Sequence, residues 1–134
     1  MADYFDYYQN KKLFNSLNLE IFNIEKLPIG VVVLKVTLPK YKFLDSNQLI
    51  KIVDHLINDG NIHLIIDFTE TWNLDSGTIK RLMLKINEIV EKGGTTRFLI
   101  TEDQPIINYS SRIFLSKIQL FLNLNSAIKD YMQH

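Results

Sequence analysis

No cysteine occurs among the 134 residues, which excludes a disulfide framework, a thiol nucleophile and a thiolate metal site and suits a reducing cytoplasm. Neither charge sign is in surplus: 15 basic side chains balance 15 acidic ones. The long-range positive field that nonspecific binding to nucleic acid or to a membrane surface requires is therefore missing. No run of about eighteen apolar residues is present, as a membrane-spanning helix would need. The opening MADYFDYYQNKK carries acids and tyrosines where a secretory signal has a basic flank and an apolar core. Internal repeats and low-complexity linkers are absent too. The length fits one domain able to bury roughly two thirds of its unfolded surface. These absences together predict a soluble cytoplasmic domain with no nucleic-acid partner and no membrane insertion.

Signatures of catalysis are equally scarce. No GxGxxG follows a strand, and no GxxxxGK precedes a serine or threonine, so neither a dinucleotide nor a nucleotide phosphate has its usual backbone cradle. His55, His63 and His134 are the only histidines, and none has a partner at ligand spacing. His55 is expected on a helix surface beside Asp54, and His63 as a hydrogen-bonded structural residue of a strand. Acidic pairs at Glu102-Asp103 and around Glu70 and Asp75 fall in loops and are too commonplace to mark acid/base chemistry. The expectation is a protein that is not an enzyme, with no cofactor and no metal.

What the chain does have is alternating strand and helix patterns. Leu19–Glu25 and the β-branched run Gly30–Leu38 are separated by Lys26-Leu27-Pro28-Ile29, a connection short enough to make the two strands antiparallel. Asp45 or Ser46 can cap a helix with Leu49, Ile50, Val53, Leu56 and Ile57 on one face, stopped by Gly60. Ile62–Phe68 is apolar with little alternation, as in a strand covered on both faces. The next helix carries Ile79, Leu82, Met83, Ile86, Ile89 and Val90 on its apolar face and Lys80, Arg81, Lys85, Glu88 and Glu91 on its polar face, ending at Gly93-Gly94. Thr95–Thr101 is a further strand, Pro105 fits the first turn of a third helix, and a terminal helix at Ser126–Tyr131 follows the apolar run Leu120–Leu124. The order β-β-α-β-α-β-α, then a short extended piece and a last helix, predicts an α/β fold: a mixed β-sheet with helices packed against it. Residues 1–18 stand outside the pattern as an N-terminal extension, and 19–134 form the domain. The aromatic set Tyr4, Phe5, Tyr7 and Tyr8, with Leu13 and Phe14, suits a helix folded back on its own domain, or alternatively a homodimer or partner contact.

Asp75-Ser76-Gly77 opens the second long helix at the carboxyl end of a buried strand, where open α/β sheets usually meet ligands and partners. A helix start exposes unsatisfied N–H groups and a partial positive charge, so Asp and Ser are favoured there as caps, contributing about 0.5–2 kcal/mol. The same donors would stabilise a phosphate on Ser76, whose added charge of about −1.5 to −2 would change which surfaces could approach. Trp72, in the loop before Asp75, suits an interface anchor and equally suits packing over the core's rim.

The stretch IIDFTETWNLDSG, the helix ending EKGG, the strand TRFLIT and the closing run KIQLFLNLNSAIKDY resemble the STAS domain of bacterial anti-sigma factor antagonists over about residues 19–131. In that family the strand leads through a short loop to Asp-Ser-Ser-Gly, whose first serine is phosphorylated by a serine kinase that doubles as the anti-sigma factor. The resemblance implies that Ser76 is the phosphoacceptor and Asp75 its neighbour. It implies transcription regulation by partner switching: the unphosphorylated protein binds the anti-sigma factor/serine kinase, phosphorylation dissociates it, and a phosphatase resets it. The docking face would be Trp72–Arg81, with Trp72, Asp75, Ser76, Gly77, Thr78 and Lys80 as its partner-binding residues. Departures from the family bear on this. Its second serine is Gly77, its two first-turn glycines are Thr78 and Lys80, and its Gly-x-Leu-Asp reads Leu38-Pro39-Lys40-Tyr41. Threonine and a long cation in place of glycine imply a differently shaped partner. The rival expectation keeps the fold without the switch: a scaffold or accessory subunit of a signalling or lipid-transport complex, with Ser76 only a cap.

Overall fold

The computed structural model describes residues 21–40, 42–72, 74–101 and 119–133. The N-terminal extension, Tyr41, the acidic pair Glu102-Asp103, the helix expected to open at Pro105, and His134 lie outside the described residues. Within them the chain runs β1 (Phe22–Lys26), β2 (Val32–Val36), α1 (Ser46–Asn58), β3 (His63–Asp67), α2 (Ser76–Glu91), β4 (Thr95–Leu99), β5 (Gln119–Phe121) and α3 (Leu124–Met132). The five strands lie in chain order in one sheet. β1 and β2 are antiparallel, as their short connection dictates, and β2, β3, β4 and β5 are parallel neighbours. This is the mixed sheet expected from the sequence. Among the described residues, no helix is long and apolar enough to cross a membrane.

Alternation along the strands divides the core between the two faces. Phe22 and Ile24, Val32, Leu34 and Val36, Leu64, Ile66 and Phe68, and Phe98 and Ile100 face one way, against the apolar stripes of α1 and α2. Val31, Val33, Ile65 and Leu99 face the other way, where Ala127 of α3 packs with them. Burial on both faces explains why the centre of β3, Leu64–Ile66, is apolar without alternation, whereas the edge strand β1 leaves Asn23 and Glu25 exposed.

Helix ends follow local chemistry. The Asp45 carboxylate accepts from the N–H of Asn47 at 2.9 Å and caps α1, and Gly60 turns the chain away with φ +89°. α3 starts at Leu124, two residues before its expected start, because the Asn123 side chain accepts from the Ser126 N–H at 2.9 Å. Strand β2 is shorter than the run Gly30–Leu38, since Leu38 leaves it to form a separate bridge with Thr71. At the end of α2 the paired glycines have different reasons. Gly93 adopts φ +83°, whereas a Cβ on Gly94 would lie 2.0 Å from the Ile62 carbonyl oxygen.

A polar network fastens α3 to the sheet. The Arg97 guanidinium, within a residue only 5% exposed, donates from Nε to Asp130 Oδ2 at 2.7 Å and lies 3.4 Å from the centroid of the Tyr131 ring. Thr95 Oγ1 donates to the Tyr131 hydroxyl at 2.8 Å and accepts from Arg97 Nη1 at 3.1 Å. With its one proton committed, Thr95 Oγ1 can only accept from His63 Nδ1, 3.0 Å away. His63 is thus the hydrogen-bonded strand residue that the sequence suggested. The Tyr131 hydroxyl donates in turn to the Leu64 carbonyl at 3.3 Å.

Candidate functional site

Parallel strands deliver their following helices to one rim of the sheet, and α1 and α2 both begin there. Asp75 takes an extended conformation, φ −77° and ψ 162°, as the N-cap of α2. Its carboxylate accepts from the Thr78 N–H at 2.7 Å, leaving the amides of Ser76 and Gly77 as helix donors with no intrahelical acceptor. Ser76 is the first helical residue and exposed, and Gly77 beside it is exposed as well. A Cβ on Gly77 would stand 3.3 Å from the capping Oδ1 of Asp75, so a serine at that position would crowd the cap. Lys80 is exposed one turn beyond Ser76, the spacing at which helix side chains become neighbours.

Thr78 requires a correction. It was expected on the partner-facing surface, yet it is 1% exposed, and its hydroxyl has no hydrogen-bond partner among the described residues. The stripe Ile79, Leu82, Ile86 and Ile89 carries Thr78 inward at its leading edge, so its side chain belongs to the helix–sheet packing and not to a docking face. The two faces assigned to α2 also need revision. Val90 is 44% exposed, because the buried stripe passes it by in the last turn. Arg81 and Lys85 flank the stripe and reach across to α1 instead of pointing to solvent. Arg81 Nη1 donates to Ser46 Oγ at 2.8 Å and to Asn47 Oδ1 at 2.7 Å, so it joins the first turns of the two helices. Lys85 pairs with Asp54 and Glu88, and the Asp54 hydrogen bond holds its ammonium above the ordinary lysine range.

The loops leading to this rim are built as an outgrowth of the sheet. The Asp67 carboxylate accepts from the Thr69 N–H at 2.9 Å and from its hydroxyl at 2.6 Å, closing a turn as β3 ends. Leu38 N–H donates to Glu70 O at 2.9 Å, Trp72 N–H donates to Leu38 O at 3.0 Å, and the buried Thr71 hydroxyl donates to Val36 O at 2.8 Å. Lys35 Nζ meets Glu70 Oε2 at 2.7 Å, and that bond holds the lysine above, and the glutamate below, its ordinary range. Trp72 is 57% exposed, with Lys40 Nζ 4.9 Å from its ring centroid. Of the two readings of Trp72, this geometry favours a ring offered to solvent. Sequence reasoning missed the Lys40–Trp72 stack and the Arg81 tether. Arg81 had a detectable signal, since residues three and seven positions after Thr78 border the apolar stripe. Lys40 had none, because its contact with Trp72 crosses between two strands.

The rim therefore brings together Trp72, Asp75, Ser76, Gly77 and Lys80 at the surface and withdraws Thr78. No group of three or more His, Asp or Glu side chains able to hold a metal occurs among the described residues.

No protein-family model matches the sequence, and no curated protein does either. Solved structures do resemble it. The anti-sigma factor antagonist SpoIIAA in its unphosphorylated form aligns with a TM-score of 0.61 at 16% identity, covering 84% of this chain and 97% of that one. The Bacillus cell fate determinant SpoIIAA in its phosphorylated form aligns with a TM-score of 0.61 at 16% identity, over 82% and 98% of the two chains. A Thermotoga maritima protein assigned as an anti-sigma factor antagonist reaches a TM-score of 0.67 at 15% identity, over 81% and 92%. The chain has the fold of these anti-sigma factor antagonists, the STAS fold.

Proposed function

We propose that the chain is a regulatory protein that works by binding and not by turnover: an antagonist of an anti-sigma factor, switched by phosphorylation of Ser76. The observation that carries the proposal is the exposed Ser76 at the first turn of a 16-residue helix, on the rim where Trp72 and Lys80 are also exposed. A kinase could reach this hydroxyl without disturbing the core. In the transfer, Ser76 Oγ attacks the γ-phosphorus of ATP, the bridging P–O bond to ADP breaks, and the hydroxyl proton passes to the kinase's base. The resulting phosphate would be stabilised by the open helix amides and by Lys80 one turn on. A protein of the same fold is known in unphosphorylated and phosphorylated forms, which supports reading this fold as one that can carry a phosphate. Incubating the chain with an anti-sigma-type serine kinase of its own host and ATP should add one phosphate by intact mass, and Ser76→Ala should abolish the gain. No mass shift with any such kinase, or a shift that survives Ser76→Ala, would refute the switch.

The second reading, a scaffold or accessory subunit with Ser76 only a structural residue, draws support from Gly77 and Lys80 standing where the family has serine and glycine. Ser76→Asp separates the two: partner recovery falls if the rim is a switch and is unchanged if it is a scaffold.

A further inference from the structure

The rim carries charges of both signs. Among its described acids, Asp45 and Asp75 are occupied as helix caps, Glu70 is paired with Lys35, and Asp67 is bound to Thr69. Lysines 42 and 80 are exposed, and Lys40, exposed as well, lies over the Trp72 ring. The first turns of α1 and α2 are joined by Arg81, and the partial positive charge of each helix start is offset by its Asp45 or Asp75 cap. Two aromatic rings stand among these cations: Trp72 at 57% and Phe43 at 87% exposure. Phe43 lies two residues before the α1 cap, and Lys40 is stacked over Trp72. Neither ring serves the core.

We propose that this rim docks an acidic segment of a partner protein with an apolar face, its carboxylates meeting Lys40, Lys42 and Lys80 and its apolar side chains covering Trp72 and Phe43. The inference rests on reading the rim as the docking face, and adds the chemistry of what docks. Aromatic anchors ringed by charge carry binding energy at the centre and steering at the edge. The same arrangement gives phosphorylation a mechanism. A phosphate on Ser76 lies one turn from Lys80 and competes with the partner's carboxylates for that cation, while reversing the local sign of the field.

Trp72 is the only tryptophan of the chain, so its emission reports directly on this rim. The intact protein is titrated with a synthetic amphipathic peptide of glutamate and leucine, with a lysine–leucine peptide of the same pattern, and with vesicles of anionic phospholipid. The expected result is a saturable blue shift with the glutamate peptide alone, weakened by raising the salt to several times the physiological level. The double variant Lys40→Glu/Lys42→Glu should weaken that binding by about tenfold, and Phe43→Ala should weaken it severalfold while leaving Trp72 in place. A lysine peptide that binds as well, a glutamate peptide that leaves the emission unchanged, or vesicles that shift it where the glutamate peptide does not would each overturn the proposal. The titration requires no phosphate. If the glutamate peptide docks while Ser76 accepts none, the switch fails and the docking chemistry stands; if Ser76 is phosphorylated while the peptide fails to dock, the reverse holds.

Discussion

Replacing Gly94 by alanine tests a close approach between the chain after α2 and the start of β3. The new Cβ would stand 2.0 Å from Ile62 O, 2.7 Å from Ile62 Cβ and 2.8 Å from Ile89 Cγ2, where ordinary contact begins at 3.4 Å. The nearest atom is backbone and cannot swing away. One strand end must therefore move by about 1 Å or more in an interior packed at crystal-like density. The Ile62 oxygen also accepts from the Thr95 N–H at 2.8 Å, the bond that starts the β3–β4 pairing. Overpacking costs about 1–3 kcal/mol and a weakened hydrogen bond about 0.5–1.5 kcal/mol. Alanine's smaller unfolded-state entropy offsets about 0.4–1 kcal/mol. The net is about 2–3 kcal/mol, a fall of about 1–2 M in the urea midpoint, followed by far-UV circular dichroism. Gly93 supplies the contrast. Its Cβ would meet nothing within 4 Å, but its φ is +83°. Asparagine tolerates that conformation better than alanine does. Stability should therefore run Asn above Ala at position 93 and Ala above Asn at position 94. A Gly94→Ala midpoint within about 0.2 M urea of the parent, or the same Asn/Ala order at both positions, would refute the steric account.

Thr78→Val should leave stability unchanged or raise it by roughly 1 kcal/mol, because it replaces a buried hydroxyl without a partner among the described residues with a methyl group of similar shape. A thermal melt would check this, and a loss of more than about 1 kcal/mol would show that the hydroxyl has a bond partner after all. Burial raises the Tyr131 phenol above its ordinary pKa, against smaller lowering effects from its Thr95 bond and Arg97. The folded chain then holds this proton more tightly than the unfolded chain. The contribution is fully present below about pH 10 and is lost as pH rises through the folded pKa. Tyr131→Phe should be less stable than the parent at neutral pH, by about 1 kcal/mol for the lost hydrogen bonding. The difference should shrink as melts are taken above pH 10, and a constant difference would rule the linkage out.

How much of this could be read from the sequence depended on whether local or long-range contacts decide each feature. The succession of strands and helices, the Asp45 and Asp75 caps and the stops at Gly60 and Gly93 were legible because each follows from residues close to one another in the chain. The inward-facing stripe of α2 was also legible, but its borders were not. Thr78 and Arg81 read as polar surface, and only the packing of α2 in the fold sends one into the helix–sheet core and the other to Ser46 and Asn47 of α1. The start of α3 was misplaced by two residues because a single apolar run, Leu120–Leu124, is shared between the end of β5 and the first turn of the helix. Nothing near Arg97 in the sequence marks Asp130 as its partner. Their pairing depends on α3 folding back over the sheet, a contact between residues 33 positions apart.

The bridge between Leu38 and Thr71, locked by the Leu38–Glu70 and Trp72–Leu38 hydrogen bonds, has a kinetic consequence. Amides sewn into a sheet exchange with solvent through opening of the sheet itself, while those of a surface loop exchange through local fluctuation. The backbone under Trp72 should thus open on the slow clock of the strands, although its ring stands in water. A partner arriving at that ring would have no loop closure to wait for, and the encounter rate would be set by diffusion and by charge.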